Sequence, residues 1–182
     1  MTTEVPVRHL SMAELEAGLD PVRLSPSDVG TLDMIVIRPV SNERVVLDVC
    51  EASPEQAIHG DRWNKTAKLA EVSVTLMNSR AAALIAQDKA RWPLAGDQLY
   101  VDFDLSEDNL PPGTRVQIGD VLFEITAKDH TGCTKFSSRF GADAWTFVNS
   151  PEGARLNLRG IYAKVVKAGT LRMGDEVKKL KG

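Results

Sequence analysis

The chain is poor in the residues that hold small secreted proteins together. It has two cysteines in 182 residues, Cys50 and Cys133, so no disulfide framework can form. They are far apart in sequence, which excludes a CxxC redox pair. Histidine is nearly as scarce: His9, His59 and His130 are too scattered to spell a zinc motif. No apolar run is long enough to span a bilayer. The opening MTTEVPVRHLSMAELEAGL has no cationic start followed by a continuous apolar stretch, so it does not read as a secretory signal. There is no P-loop and no GxGxxG. The net charge is only −3, which points neither to nucleic acid nor to a membrane surface as a partner. Together these absences place the protein in the cytoplasm, where thiols stay reduced.

What is present is an ordinary globular composition, 43% hydrophobic and 26% charged, in a chain long enough for one domain with a sizeable core. Charge is uneven along it. Asp97, Asp102, Asp104, Glu107 and Asp108 form an acidic stretch without Lys or Arg. Arg155, Arg159, Lys164, Lys167 and Arg172 form a basic one against Glu152. Two solvated faces are the plain explanation; a basic patch for an anionic ligand is the sharper one.

Strand signals dominate. LDMIVIR (32–38) and RVVLDVC (44–50), joined by PVSNE, predict an opening hairpin. EVSVTLM (71–77) and QLYVDFDL (98–105) alternate as half-buried strands, the latter with Tyr100, Asp102 and Asp104 on its outer side. TRVQIGDVLFEITA (114–127) reads as two strands about Gly119-Asp120, and residues 156–167 and 170–180 as a further pair about Ala168-Gly169. The repeated GTRVQIGD and GTLRMGD mark a recurring turn. Helices are short. One is predicted over 12–17 from the Ser11–Glu14 capping box and Gly18, one from the Ser53-Pro54-Glu55 start, one over 79–90 capped by Asn78, and one over 142–148. Many short strands with regular turns predict a mainly β domain whose edges a barrel or sandwich would close.

The two cysteines differ in setting. Cys50 ends an apolar strand, where a thiol behaves as a small hydrophobe. Cys133 sits in DHTGCTKFSSRFG, a loop-like stretch with His130, Lys135 and Arg139 close by. Positive neighbours favour the thiolate, the form that attacks electrophiles and binds metals. Lys135 and Arg139 are also candidates to contact an anion, as are Arg155 and Arg159, which a strand would place on one face. A buried, inert cysteine near a turn is the alternative.

The segment HTGCTKFSSRFG, its continuation DAWTFVNSPEGARLNLRGIYAKVVKAGTLRMGD, the upstream GDQLYVDFDLSEDNLPPGTRVQIGD and HGDRW (59–63) resemble the MOSC domain family. The resemblance implies a MOSC-type β-barrel, closed or partly closed and pyruvate-kinase-barrel-like, over 31–182, with residues 1–30 an N-terminal extension carrying a short helix. It implies that Cys133 is the hallmark cysteine, which either carries sulfur as a persulfide or binds the molybdenum of a pterin cofactor. His130, Lys135, Arg139, Arg159 and Asp61 are its implied supporting residues, with Asp61 and Trp63 near the pocket mouth. Implied partners are a cysteine desulfurase or a molybdoenzyme. Family sulfurases carry a pyridoxal phosphate domain, for which this chain has no room, so that cofactor is not expected. The longer N-terminal portion of the amidoxime-reducing members is absent or much reduced. Three functions stay open: a sulfur or metal–sulfur handling protein, a molybdenum-cofactor-dependent reductase of N-hydroxylated compounds, and a non-catalytic barrel that binds an anion or a protein.

Overall fold

The structure is a computed structural model that describes residues 7–63 and 70–182. Its centre is a closed barrel of seven strands. In chain order the strands are β1 (Val29–Ile37), β2 (Val45–Leu47), β3 (Val49–Ser53), β4 (Ala57–Ile58), β5 (Val74–Asn78), β6 (Leu99–Asp102), β7 (Arg115–Ile118), β8 (Val121–Ile125), β9 (Ile161–Lys167), β10 (Gly169–Arg172) and β11 (Glu176–Lys179). The ring runs β1-β11-β7-β8-β9-β5-β6 and returns to β1, whose first residues pair with β11 and whose later ones pair with β6. β2 adds to the outer half of β1, and β3, β4 and β10 form a separate three-stranded sheet. Closure removes the free edges that an open sheet would expose.

The barrel is filled by one side of this alternation: Leu32, Val74, Leu76, Val101, Phe123 and Ala163 are all at most 1% exposed. The other side of β1, β5 and β6 is also apolar (Met34, Val36, Met77, Tyr100) because helices cover it. These are α1 (Met12–Ala17), α2 (Asp20–Arg23), α3 (Ser79–Ala86), α4 (Thr134–Phe140), α5 (Ala142–Asn149) and α6 (Pro151–Arg155). The α1 capping box forms as predicted, with Ser11 and Glu14 side chains each satisfying the other's backbone N–H. Asn78 caps α3 through Oδ1, while its buried Nδ2 donates to Ser25 Oγ at 2.8 Å and to the Phe103 carbonyl at 3.0 Å.

Several local expectations are corrected. Ser53-Pro54-Glu55 starts no helix. It is the turn between β3 and β4, in which Ala52 faces Ile58 and Ser53 faces Ala57, and Ser53 Oγ accepts the Gln56 N–H. The run 44–50 is broken at Asp48, so its two halves belong to different sheets. The strand expected from Glu71 begins at Val74, after a 3-10 turn over Ala70–Val72. α3 stops at Ala86, where Gln87 takes φ +66°, and a 3-10 segment (Lys89–Ala95) follows. Tyr100 and Asp97 are fully buried, not on a solvated face. Residues 151–155 are helical, and β9 starts only at Ile161, after Asn157 (φ +50°) and Gly160 (φ +113°) have turned the chain. Arg155 and Arg159 therefore share no strand. β9 and β10 do not pair either: β10 joins β3. The cysteine loop ends at Cys133, the N-cap residue of α4.

Candidate functional site

β5 and β6 are parallel, so the chain between them must cross over. It does so through α3 and the Lys89–Ala95 segment, and Gly96 at φ +93° then turns it into β6. This crossover ends in a turn that gathers three arginines from distant parts of the sequence. Arg139 Nη1 donates to the Leu94 carbonyl at 2.7 Å, Arg159 Nη2 to Ala95 at 2.8 Å and Arg38 Nη1 to Gly96 at 2.9 Å. The next residue, Asp97, is 0% exposed and accepts Arg159 Nη1 at 2.5 Å. Arg38 also meets Asp61, which is almost fully buried and accepts from its backbone N–H at 2.9 Å, Nε at 3.2 Å and Nη2 at 3.3 Å. The Trp63 ring lies 5.5 Å from the Arg38 guanidinium.

Arg44 and Arg62 extend this array, each with a buried Nε that has no hydrogen-bond partner. Burial, followed by the charges of Arg139 and Arg38, pushes the Arg44 guanidinium below its ordinary value. Five guanidiniums (Arg38, Arg44, Arg62, Arg139 and Arg159) thus form one array in which two buried carboxylates, Asp61 and Asp97, pair with Arg38 and Arg159. Such an excess suits a ligand with several anionic oxygens, because each guanidinium presents a fork of donors.

Cys133 is exposed. Partial burial works to raise its pKa, but the first-turn N–H groups of Phe136 and Lys135 and the charge of Arg159 outweigh that, and the thiol is held below its ordinary value. Its side chain makes no formed cap bond, so the peptide groups act through their field. The preceding residue is clamped from α5. Asn149 Oδ1 accepts the Gly132 N–H at 2.9 Å, and the Gly132 carbonyl accepts Trp145 Nε1 at 2.9 Å and Asn149 Nδ2 at 3.3 Å. A side chain at Gly132 would stand 3.1 Å from both Asn149 and Val148.

The His130 side chain is 8% exposed and its ring lies tilted by 38° against Tyr162, with centroids 4.5 Å apart. Its Nδ1 lies 3.6 Å from Asp97 Oδ1, and neither atom has a hydrogen-bond partner. Burial first, then the charges of Arg159 and Arg38, push His130 well below the usual histidine value, so it is neutral at neutral pH. For Asp97, burial pushes the carboxyl up while Arg159 and Arg38 pull it back.

Comparison with family models matches residues 79–178, more than half of the chain, to the MOSC domain. The chain belongs to the MOSC domain family. Solved MOSC-like folds agree. The crystal structure of YuaD from Bacillus subtilis has a TM-score of 0.56 at 15% identity, with 83% of this chain and 95% of that one covered. YiiM from Escherichia coli gives 0.56 at 13% identity over 84% and 70%. A hypothetical protein gives 0.58 at 13% identity over 85% of this chain and 66% of its own. At such identities the likeness carries the fold alone. No match is found among curated proteins.

Within this MOSC domain the nominated residues fall into distinct places. Arg159 adjoins Cys133 electrostatically, and Arg159 and His130 both border Asp97. Arg139, six residues past Cys133, spends its guanidinium on Leu94 at the far end of α4. Lys135 is exposed on the first turn of α4. Asp61 underlies Arg38, and Arg155 lies apart, against exposed Asp108. Sequence reasoning missed Arg38, Asp97, Asn149 and Trp145. Gly96-Asp97 reads locally as a turn, and nothing near Asn149 announces a clamp. Among the described residues no three His, Cys, Asp or Glu converge as a metal cluster, and no helix is long and apolar enough to cross a membrane.

Proposed function

We propose that this MOSC domain handles sulfur or a metal–sulfur group through Cys133 and uses the arginine array that includes its neighbour Arg159 to hold an anionic cofactor of the molybdopterin type. The observation that carries the reading is the exposed Cys133 thiol, shifted toward its thiolate while its neighbour Arg159 is fixed by buried Asp97. A thiolate is the form that ligates soft metals. The part-buried guanidiniums of Arg44 and Arg62 in that array suit phosphate oxygens. Such a cofactor would be held by Cys133 at the metal and by these arginines at the phosphate, and when bound it would supply redox or sulfur-transfer chemistry. The chain's own residues orient it, and neutral His130 leaves the array's positive charge to the arginines.

For sulfur carriage, the Cys133 thiolate attacks the terminal sulfur of a donor persulfide. The donor's S–S bond breaks as a new one forms on Cys133, and the donor leaves as a thiolate. No net oxidation is required. A cysteine desulfurase is the class of donor this chemistry asks for.

Intact mass and metal content of the purified protein test the reading. A gain of one sulfur on Cys133 after incubation with a cysteine desulfurase, or molybdenum approaching one per chain from a cofactor-competent host, supports it, provided that Cys133→Ser abolishes the gain. Neither signal in the wild type would leave an anion-binding barrel.

A further inference from the structure

Behind the cysteine loop lies a cavity of about 690 Å³, in the size range that encloses a drug-sized molecule. Its apolar lining includes Pro111, Pro112, Ile125, Val148, Ile161 and the ring of Trp145. Cys133 and the Arg38–Arg44–Arg62–Arg139 array do not line it. The charges at its edge do not call for an anion: with Arg159 held by Asp97, Lys128 stands against Glu107 and Asp129.

Its buried polar groups are specific. Arg159 and His130 line it with side chains 8% exposed, and Arg159 Nε has no hydrogen-bond partner. The Arg159 charge is already matched by Asp97. What remain there without a partner are Arg159 Nε–H and Nδ1 of the neutral His130 ring, a pair that favours a polar group on a neutral molecule over an anion. The lining amides are occupied elsewhere, Asn149 with Gly132 and Asn157 Nδ2 with the Leu105 carbonyl.

The same wall controls the cysteine loop. Trp145 and Asn149 line the cavity, and both hold Gly132, the residue before Cys133. A molecule packed against them would touch the two side chains that hold Gly132.

We propose that this cavity binds a small uncharged organic molecule, apolar over most of its surface with one carbonyl-type acceptor, and that its occupancy is transmitted to Cys133 through the Trp145–Gly132–Asn149 clamp. The proposal goes beyond the function argued above and requires neither sulfur donor nor metal.

The probe is 6-propionyl-2-(dimethylamino)naphthalene, a neutral fluorophore with one carbonyl, titrated into the full chain at neutral pH. Saturable binding is expected, weakened about tenfold by Ala154→Trp, which fills the cavity, and unchanged by Met173→Ala, which lies outside it. Saturating probe changes the rate of Cys133 alkylation by iodoacetamide about fivefold in the wild type and not in Ala154→Trp. Binding that does not saturate, binding as tight in Ala154→Trp as in the wild type, or an alkylation rate indifferent to bound probe overturns the proposal. Should circular dichroism show that Ala154→Trp does not fold, Ala127→Trp at the loop side takes its place under the same criteria. The titration contains no persulfide and no molybdenum, so its failure leaves the sulfur or metal reading standing, and the converse also holds.

Discussion

Cys50 and Cys133 carry the same thiol in opposite settings. Cys50 lies on β3 within the barrel's hydrophobic cluster, and burial, with a smaller contribution from Glu51, pushes it up to about 11. Cys133 stands exposed at the start of α4, where peptide N–H groups and Arg159 more than offset its partial burial. The contrast teaches that the ionisation of a thiol here is set by where the fold puts it: at a helix start, with a cation added from elsewhere. Arg159 arrives from the turn before β9, and Asp97, which fixes it, from the crossover into β6.

The largest expected effect is a complete separation of the two thiols. Iodoacetamide at neutral pH should add a single label by intact mass, lost in Cys133→Ser, while Cys50 labels only in denaturant. The rate–pH profile of Cys133 should inflect below the ordinary thiol value of 9.0. Equal labelling of both cysteines in the native state would erase the contrast.

Next in size is Arg159→Met. It strands Asp97 at 0% exposure and should cost roughly 3–5 kcal/mol in denaturant unfolding. It should also move the Cys133 inflection upward by removing the charge that favours the thiolate. An unshifted inflection in a folded variant would detach Arg159 from the cysteine. Asn149→Ala should cost about 1–3 kcal/mol, because the Gly132 N–H loses its acceptor, and should alter the Cys133 alkylation rate. Wild-type values for both would mean that the clamp does not position the thiol.

The smallest effect concerns Cys50 and has a definite sign. An unfolded thiol releases its proton near 9.0 and the folded one near about 11. Between these values the native state holds more protons, so stability falls as pH rises, by about 1 kcal/mol at pH 10. Thermal melts should show this alkaline loss, and Cys50→Ala should flatten it.

Much of the barrel was legible because its signals are local. The alternation in 114–127 and the Gly119-Asp120 turn specify β7 and β8 as paired, and Ser11 with Glu14 specifies the start of α1. Where the reading failed, a distant partner had decided. Ser53-Pro54-Glu55 has helix-start chemistry, yet pairing of Ala52 with Ile58 makes it a turn. Tyr100 looks like an outer position until helices cover that side of β6, where its hydroxyl donates to the Trp92 carbonyl at 2.6 Å. The site divides in the same way. Cys133 stood out from its immediate neighbours, and the first-turn N–H groups of Phe136 and Lys135 act on it locally, but Arg159, which adds to their effect, Asp97, which fixes Arg159, and Asn149, which holds the preceding backbone, come from elsewhere. Their relation to it exists only after β5 and β6 lie parallel and α5 folds back over Gly132.

The way the ring shuts carries a consequence for biosynthesis. Val29–Thr31, near the start of the barrel, find their partners in Glu176–Lys178, more than 140 positions later. Until the ribosome has released β11, Val29 and Gly30 have no strand partner, Thr31 has only Asp102 of β6, and β7 lacks one of its two neighbours. A nascent chain stalled before residue 176 would therefore hold most of its sheet with an open seam. Such a chain is the form on which chaperones and proteases have most to grip.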